Sequence, residues 1–290
     1  MLPPKILIAR VISTMTLNEI EDDKIKIPIT MCHGVSENLG IDRFDQYFKI
    51  AKDSGFSSIN YFELEDWLLN EKNLPKKPII FDFDHPVRSI YTEIFPLMKK
   101  YGFKGNLFVN TEPMEEMYAN GSFRSDDRLY MIWDEIKELI DDGWSFGAHT
   151  HTHPNLSELA DKDPSGGAIQ QELELNDRTL EKGLAMQPRY FAFTGTSWSS
   201  LAEQEVMKRY TLGRLWIMDS HYQVDGELLR FADLVGDEGE DEIDGGPPMA
   251  SRYITKHTNP FKIPSVDFEG LIYDYEDFRR YLRIDRVRGR

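Results

Sequence analysis

Apolar residues in this chain fall into short continuous runs that alternate with stretches repeating every three to four positions. Ile27-Pro28-Ile29-Thr30-Met31-Cys32 reads as a strand ending at His33-Gly34, and Phe44, Tyr47, Phe48 and Ala51 recur at helical spacing until Ser54-Gly55 stops them. Pro78-Ile79-Ile80-Phe81 opens a second buried strand, and residues 90–100 are helical, closed by Tyr101-Gly102. The same reading predicts strands over 105–110, 144–148, 189–193 and 214–218, and helices over 133–142, 168–182, 201–210 and 274–283. Strand and helix alternating at this spacing imply a parallel sheet, either open or closed into a (β/α) barrel. In both architectures chemistry gathers at the carboxyl ends of the strands. His33, Asp82 to His85, His149 to His153, Thr194, Asp219 and His221 fall there.

Composition narrows the class without naming a function. The 290 residues, 40% of them hydrophobic, can bury a sizeable core, and α/β barrels of this length are often one domain. A single domain over 1–290 is expected, with its core in about 27–220 and a carboxyl-terminal extension over 221–290. The formal net charge of -16 argues against nucleic acid or an anionic membrane as the main partner. Much of the excess lies in the Gly-rich stretch from Asp233 to Asp244, read as a solvated loop whose spacing does not fit an EF-hand. Cys32 is the only cysteine, so no internal disulfide forms. Ile6 to Ala9, within Met1 to Met15, is too short for a signal h-region, and no run approaches a membrane span. The expectation is a cytoplasmic protein acting on a soluble or nucleotide-linked small substrate.

Two clusters carry chemistry. His149-Thr150-His151-Thr152-His153 places three of the 7 histidines on alternate positions between an apolar run and Pro154. Neutral imidazole is the commonest nitrogen ligand for zinc, and His149 and His153 have a spacing that a helical turn or tight loop folds around an ion. Phe81-Asp82-Phe83-Asp84-His85-Pro86 is the second cluster. On a strand Asp82 and Asp84 share one face while Phe81 and Phe83 pack behind, and two carboxylates there need a cation.

Here the chain resembles the polysaccharide deacetylases, the carbohydrate esterases with a NodB homology domain. The family's second motif, His-(Ser/Thr)-x-x-His, is matched by residues 149–153 with the common Pro-Asn-Leu continuation at 154–156, and its first, Thr-Phe-Asp-Asp, is approximated around Phe83-Asp84. Met31-Cys32-His33-Gly34-Val35 is similar to the stretch opening one branch of the family, and Arg189-Tyr190-Phe191-Ala192-Phe193 to the strand of its third motif. The resemblance covers about 27–220 and implies a distorted seven-stranded barrel. It also implies a divalent metal such as zinc and hydrolysis of an N-acyl group, most simply N-acetyl on an amino sugar.

Three departures bear on the site. Asp84 falls where the family has its catalytic base, but His85 replaces the metal-binding aspartate; Thr194-Gly195 stands in place of Pro-Tyr; and no Leu-x-His source of the general acid occurs near the end. Either His85 ligates with His149 and His153 and Asp84 is the base, or Asp84 ligates and Asp82 takes the proton. The first keeps the family's register. His221 is the better placed substitute acid by the strand-end rule and His257 the alternative, while His151 and His33 read as accessory. Two competing readings remain: a haloacid-dehalogenase-like phosphatase using Asp82 and Asp84 with magnesium, which leaves the histidines without a role, and a barrel that binds carbohydrate without turning it over.

Overall fold

The computed structural model describes residues 25–283. The apolar run in Met1 to Met15 and the basic tail ending at Arg290 lie outside the described residues. Seven parallel strands form the core: β1 (Ile27–Cys32), β2 (Pro78–Asp84), β3 (Asn106–Val109), β4 (Ser145–Ala148), β5 (Tyr190–Ala192), β6 (Leu212–Ile217) and β7 (Ile263–Asp267). Each pairs with the next, and Thr30 of β1 stands opposite Val266 of β7, so the sheet closes on itself. Closure removes the edges of these seven strands and leaves crossover helices such as Ile41–Asp53 to pack on the outside. The expected seven-stranded (β/α) barrel is what forms.

The strand alternation read at Asp82 sets the two faces. Phe81 and Phe83 point outward, Phe81 packing on Phe48 of α1 (Ile41–Asp53) with ring centroids 5.2 Å apart, and Phe83 stacking at 5.3 Å on Trp144, which precedes β4. Ile80, Asp82 and Asp84 take the other face. Ile27, Ile80, Tyr190, Leu212 and Ile263, all near strand starts, form a separate apolar cluster with Tyr61, Leu64 and Trp67 of α2 (Tyr61–Asn70). α2 therefore stoppers the amino-terminal end of the barrel, and its start is fixed by a capping box between Asn60 and Glu63. Chemistry is left to the opposite end. α3 (Phe95–Tyr101), α4 (Glu112–Ala119), α5 (Trp133–Asp141), α6 (Leu156–Lys162), α7 (Gly167–Leu184) and α8 (Ser200–Met207) are the other helices up to β6.

Several expectations need correction. The barrel closes on β7, beyond the segment read as the core, because β7 is not an apolar run: Ser265 donates to Asp82 at 3.3 Å and Asp267 accepts from Trp216 at 2.8 Å. The helix expected over 201–210 ends at Met207, leaving Tyr210 buried with its hydroxyl on Asp177 at 2.7 Å. The acidic stretch from Asp233 to Asp244 is not a freely solvated loop. It starts within α9 (Phe231–Val235), and Arg230 grips Asp241 at 2.9 Å while Arg252 grips Asp244 through two bonds of 2.7 and 2.6 Å. Among the described residues, no helix is long and apolar enough to cross a membrane.

Candidate active site

His149 to His153 form the loop that leaves β4. Its path is unusual: Thr150 has φ 62° and His153 φ 60°, left-handed values that are rare outside glycine and most so for a β-branched residue. His85, at the end of β2, has φ 63°. Such conformations cost on the order of 1–3 kcal/mol each and persist only where neighbours impose them. α7 does so here. The Glu172 carboxylate accepts the backbone N–H groups of His151 and Thr152 at 3.1 and 2.8 Å, and the Thr152 hydroxyl at 2.8 Å. The buried Asn176 amide donates to the carbonyls of Val109 and Thr150, at 2.9 and 2.5 Å, tying the loop to β3. Asn176→Ala would take the amide donor from the Thr150 carbonyl, while Val109 keeps the His149 N–H at 3.2 Å, and is expected to cost about 1–3 kcal/mol. Urea unfolding checks this, and an unchanged midpoint would contradict the tie.

This backbone brings His85, His149 and His153 together, with one ligand nitrogen from each lying within 4.8 Å of the others. The Nε2 atoms of His149 and His153 face one another at 3.1 Å. Zinc–nitrogen bonds of about 2.0–2.1 Å in a tetrahedral set would hold two nitrogens about 3.3 Å apart, so the spacing suits a metal ion. The far side of two of the rings is anchored as well: His149 Nδ1 is 2.9 Å from the Ala192 carbonyl, and His85 Nδ1 is 2.7 Å from Asn110 Oδ1. Those acceptors fix the proton on Nδ1 and turn Nε2 toward the centre of the group. Burial brings His153 down to about 4, helped by the imidazole of His85, and takes His149 well below its ordinary value. Both rings are neutral near pH 7, as ligation requires. The donor set fits a zinc-like ion.

Asp84 sits beside the group with Oδ2 3.6 Å from His149 Nε2, while Oδ1 is paired with the guanidinium of Arg214. Burial would push its carboxyl up, but Arg214, His149 and His33 outweigh that and hold it well below the usual carboxylate range. Asp82 lies deeper. Its oxygens are taken by the Tyr61 hydroxyl at 2.9 Å, the Asn106 amide at 3.2 Å and Ser265, with Arg214 Nε at 3.8 Å, and burial pushes its carboxyl up to about 7. The cation that the two carboxylates required is thus Arg214, fully buried on β6, and not a metal alone. Asp82, read as an alternative proton acceptor or as a phosphatase nucleophile, is enclosed by Tyr61, Asn106, Ser265 and Arg214.

The histidines outside the trio separate clearly. His33 stacks on His85 with ring centroids 5.2 Å apart and meets the edge of Trp216 at 5.4 Å; Trp216 in turn donates to Asp267. His151 points the other way, to Thr111 at 2.9 Å and Glu115 at 3.8 Å. His221 is not brought into the cluster. It is exposed on a separate sheet of Ser197–Trp198, His221–Val224 and Glu227–Arg230, facing Ser220 and Asp219 at 3.2 and 3.9 Å, because the chain turns into a hairpin after β6. His257 lies in an exposed turn. Arg214, Trp216, Asn110, Asn176 and Asp267 escaped sequence reasoning; the one available signal was the inward spacing of Arg214 and Trp216 in a buried strand.

Residues 71–212 match the family model described as polysaccharide deacetylase. The chain carries a polysaccharide deacetylase domain. YxkH of Bacillus subtilis (strain 168), a protein whose name carries the words polysaccharide deacetylase, is 24% identical over 156 residues, covering 52% of this chain and 50% of that protein. The poly-beta-1,6-N-acetyl-D-glucosamine N-deacetylase of Staphylococcus aureus (strain MRSA252) is 26% identical over 140 residues, 46% of each. The chain thus spans about half the length of the curated relatives it matches. The deacetylase domain also shares its fold with the Streptococcus pyogenes deacetylase PplD solved with acetate, at a TM-score of 0.60 and 20% identity over 84% of this chain and 92% of that one. These likenesses support a deacetylase function and favour neither the phosphatase nor the inert barrel.

Proposed function

We propose that this deacetylase domain removes an N-acetyl group from an amino sugar of a carbohydrate chain, with a divalent metal ion held by His85, His149 and His153. The observation that carries the reading is the convergence of three neutral imidazole nitrogens beside a carboxylate that Arg214 keeps ionised. When bound, a zinc-like ion polarises the amide carbonyl and makes a coordinated water more acidic. Asp84 accepts the proton of the attacking water, since its pairing with Arg214 and nearness to His149 place an ionised carboxylate at the edge of the group. Arg214 positions that carboxylate rather than touching substrate. Attack on the carbonyl carbon followed by loss of the amine gives acetate and a free amino sugar, and the departing nitrogen needs one proton.

His33 is the donor favoured by the geometry, replacing His221. Its ring stacks on His85 and stands beside the Trp216–Asp267 pair, whereas His221 is held in a separate hairpin. A general acid must be protonated to act, so kcat/KM should fall as alkaline pH strips its proton. His33→Ala is expected to lower kcat by about 10²-fold or more and to abolish that alkaline limb, while His221→Ala leaves the profile unchanged. A normal limb in His33→Ala would remove His33 from this role. The reading as a whole is tested by acetate release from a β-1,6-linked N-acetylglucosamine oligomer; no release with the metal site loaded would overturn it.

A further inference from the structure

The loop that leaves β1 carries His33 and is largely open: His33, Ser36, Glu37 and Asn38 are all exposed. A ring that hands over a proton at one point has to be held in place, and burial does not hold this one. The backbone path shows what does. Gly34, next to His33, has φ 114°, and a Cβ there would lie 2.7 Å from the Ser89 hydroxyl oxygen. Only glycine allows that approach, on conformational and on steric grounds. What the approach gains is a hydrogen bond. Val35 N–H donates to Ser89 Oγ at 3.1 Å, across 54 positions of sequence.

The Ser89 hydroxyl can accept this bond because it is not spent locally. Ser89 stands immediately before a short π-helical turn, Ile90–Ile94, where a serine ordinarily caps its own helix by accepting an N–H two or three residues on. Here it has helical angles, φ -60° and ψ -23°, and its side chain makes no such cap. Turns of this kind are uncommon and recur at functional sites. The segment that carries Ser89 is also the fixed partner of the two. It leaves His85, and it is held by Arg88 N–H on the Leu129 carbonyl at 2.8 Å, Met131 N–H on the Pro86 carbonyl at 2.7 Å and a bridge between Val87 and Tyr130. The Arg88 side chain adds a pairing with Glu135 at 3.3 Å. Ser89 thus ties the open loop of His33 to the chain that follows His85, the ring on which His33 stacks. A second tie, from the Ser36 hydroxyl to Glu269, is exposed and reaches the loop after β7 instead.

We propose that Ser89 is a positioning residue for the proton transfer: by holding Val35 it keeps the His33 ring stacked on His85, where that ring protonates the departing nitrogen. The inference rests on the reading of His33 as the proton donor. In that step the C–N bond breaks, the nitrogen keeps the bonding pair and takes a proton from His33, and acetate and the free amine leave. An aryl acetate breaks a C–O bond instead, and its aryl oxide leaves as a stable anion without that proton. Misalignment of the donor therefore harms the amide and spares the aryl ester. A loosened metal group or a destabilised fold harms both.

The test compares metal-loaded wild type with Ser89→Ala in acetate release from a β-1,6-linked N-acetylglucosamine oligomer, in hydrolysis of p-nitrophenyl acetate and in zinc content. It also compares the proton NMR signals of the His33 ring, assigned by their absence from His33→Ala. Ser89→Ala should lower kcat on the oligomer about tenfold at unchanged KM, with ester hydrolysis and zinc content at the wild-type level. The His33 ring signals, displaced in the wild type by the stacked imidazole, should move toward those of an unstacked histidine. Gly34→Ala, which presses on the same contact from the other side, should lower oligomer turnover with the same selectivity. Unmoved ring signals, equal losses on amide and ester, or undiminished oligomer turnover in Ser89→Ala would each overturn the proposal. No release from the oligomer by the wild type would remove the deacetylase reading instead, and the ring signals would then decide the tie by themselves.

Discussion

Asp84→Asn is expected to lower kcat for acetate release by about 10²–10⁴-fold, the range lost when a positioned general base is removed. The amide keeps the shape of the carboxylate but cannot accept the proton of the attacking water. Because Arg214 holds the wild-type carboxyl far below the usual range, Asp84 is ionised throughout neutral pH, and no mild change of pH substitutes for the mutation. Metal content should stay near one equivalent, since Asp84 Oδ2 lies 3.6 Å from His149 Nε2 and the three imidazoles are the proposed ligands. Loss of both metal and activity in Asp84→Asn would return Asp84 to the ligand set, the register in which His85 is not a ligand. Loss of neither would exclude it from both roles.

The second large effect concerns the metal. His149→Ala and His153→Ala should each remove bound metal and, with it, acetate release, because three protein ligands are the minimum found in catalytic zinc sites. His151→Ala is the internal control. It is two residues from each ligand, yet its ring faces Thr111 and Glu115, so metal content should be preserved. Elemental analysis of the purified variants reads this directly. Metal retained in both His149→Ala and His153→Ala would refute the assignment.

Legibility in the sequence followed the physics of each element. Strands with continuous apolar runs, such as Ile27–Cys32 and Pro78–Asp84, and amphipathic helices, such as Ile41–Asp53, announced themselves. β7 did not, because it spends its inward positions on Ser265 and Asp267, which serve Asp82 and Trp216. α2 escaped because it is buried in the barrel mouth and carries a mixed Tyr61-Phe62-Glu63-Leu64-Glu65 start. The histidine trio was visible as spacing, since His149 and His153 share one loop and His85 follows a strand. Arg214 was not, for nothing local shows that a guanidinium in one strand will meet carboxylates 130 positions earlier in another. His221 looked well placed because it follows β6 closely, but it enters a separate hairpin, whereas His33 stacks on His85.

The central claim is metal-dependent deacetylation at the trio of His85, His149 and His153. It is tested most directly by acetate release from a β-1,6-linked N-acetylglucosamine oligomer after chelation, as zinc is titrated back. The account predicts no release from the chelated protein and a rise that saturates near one equivalent of zinc. Release that survives chelation, or none at any zinc level, would contradict it.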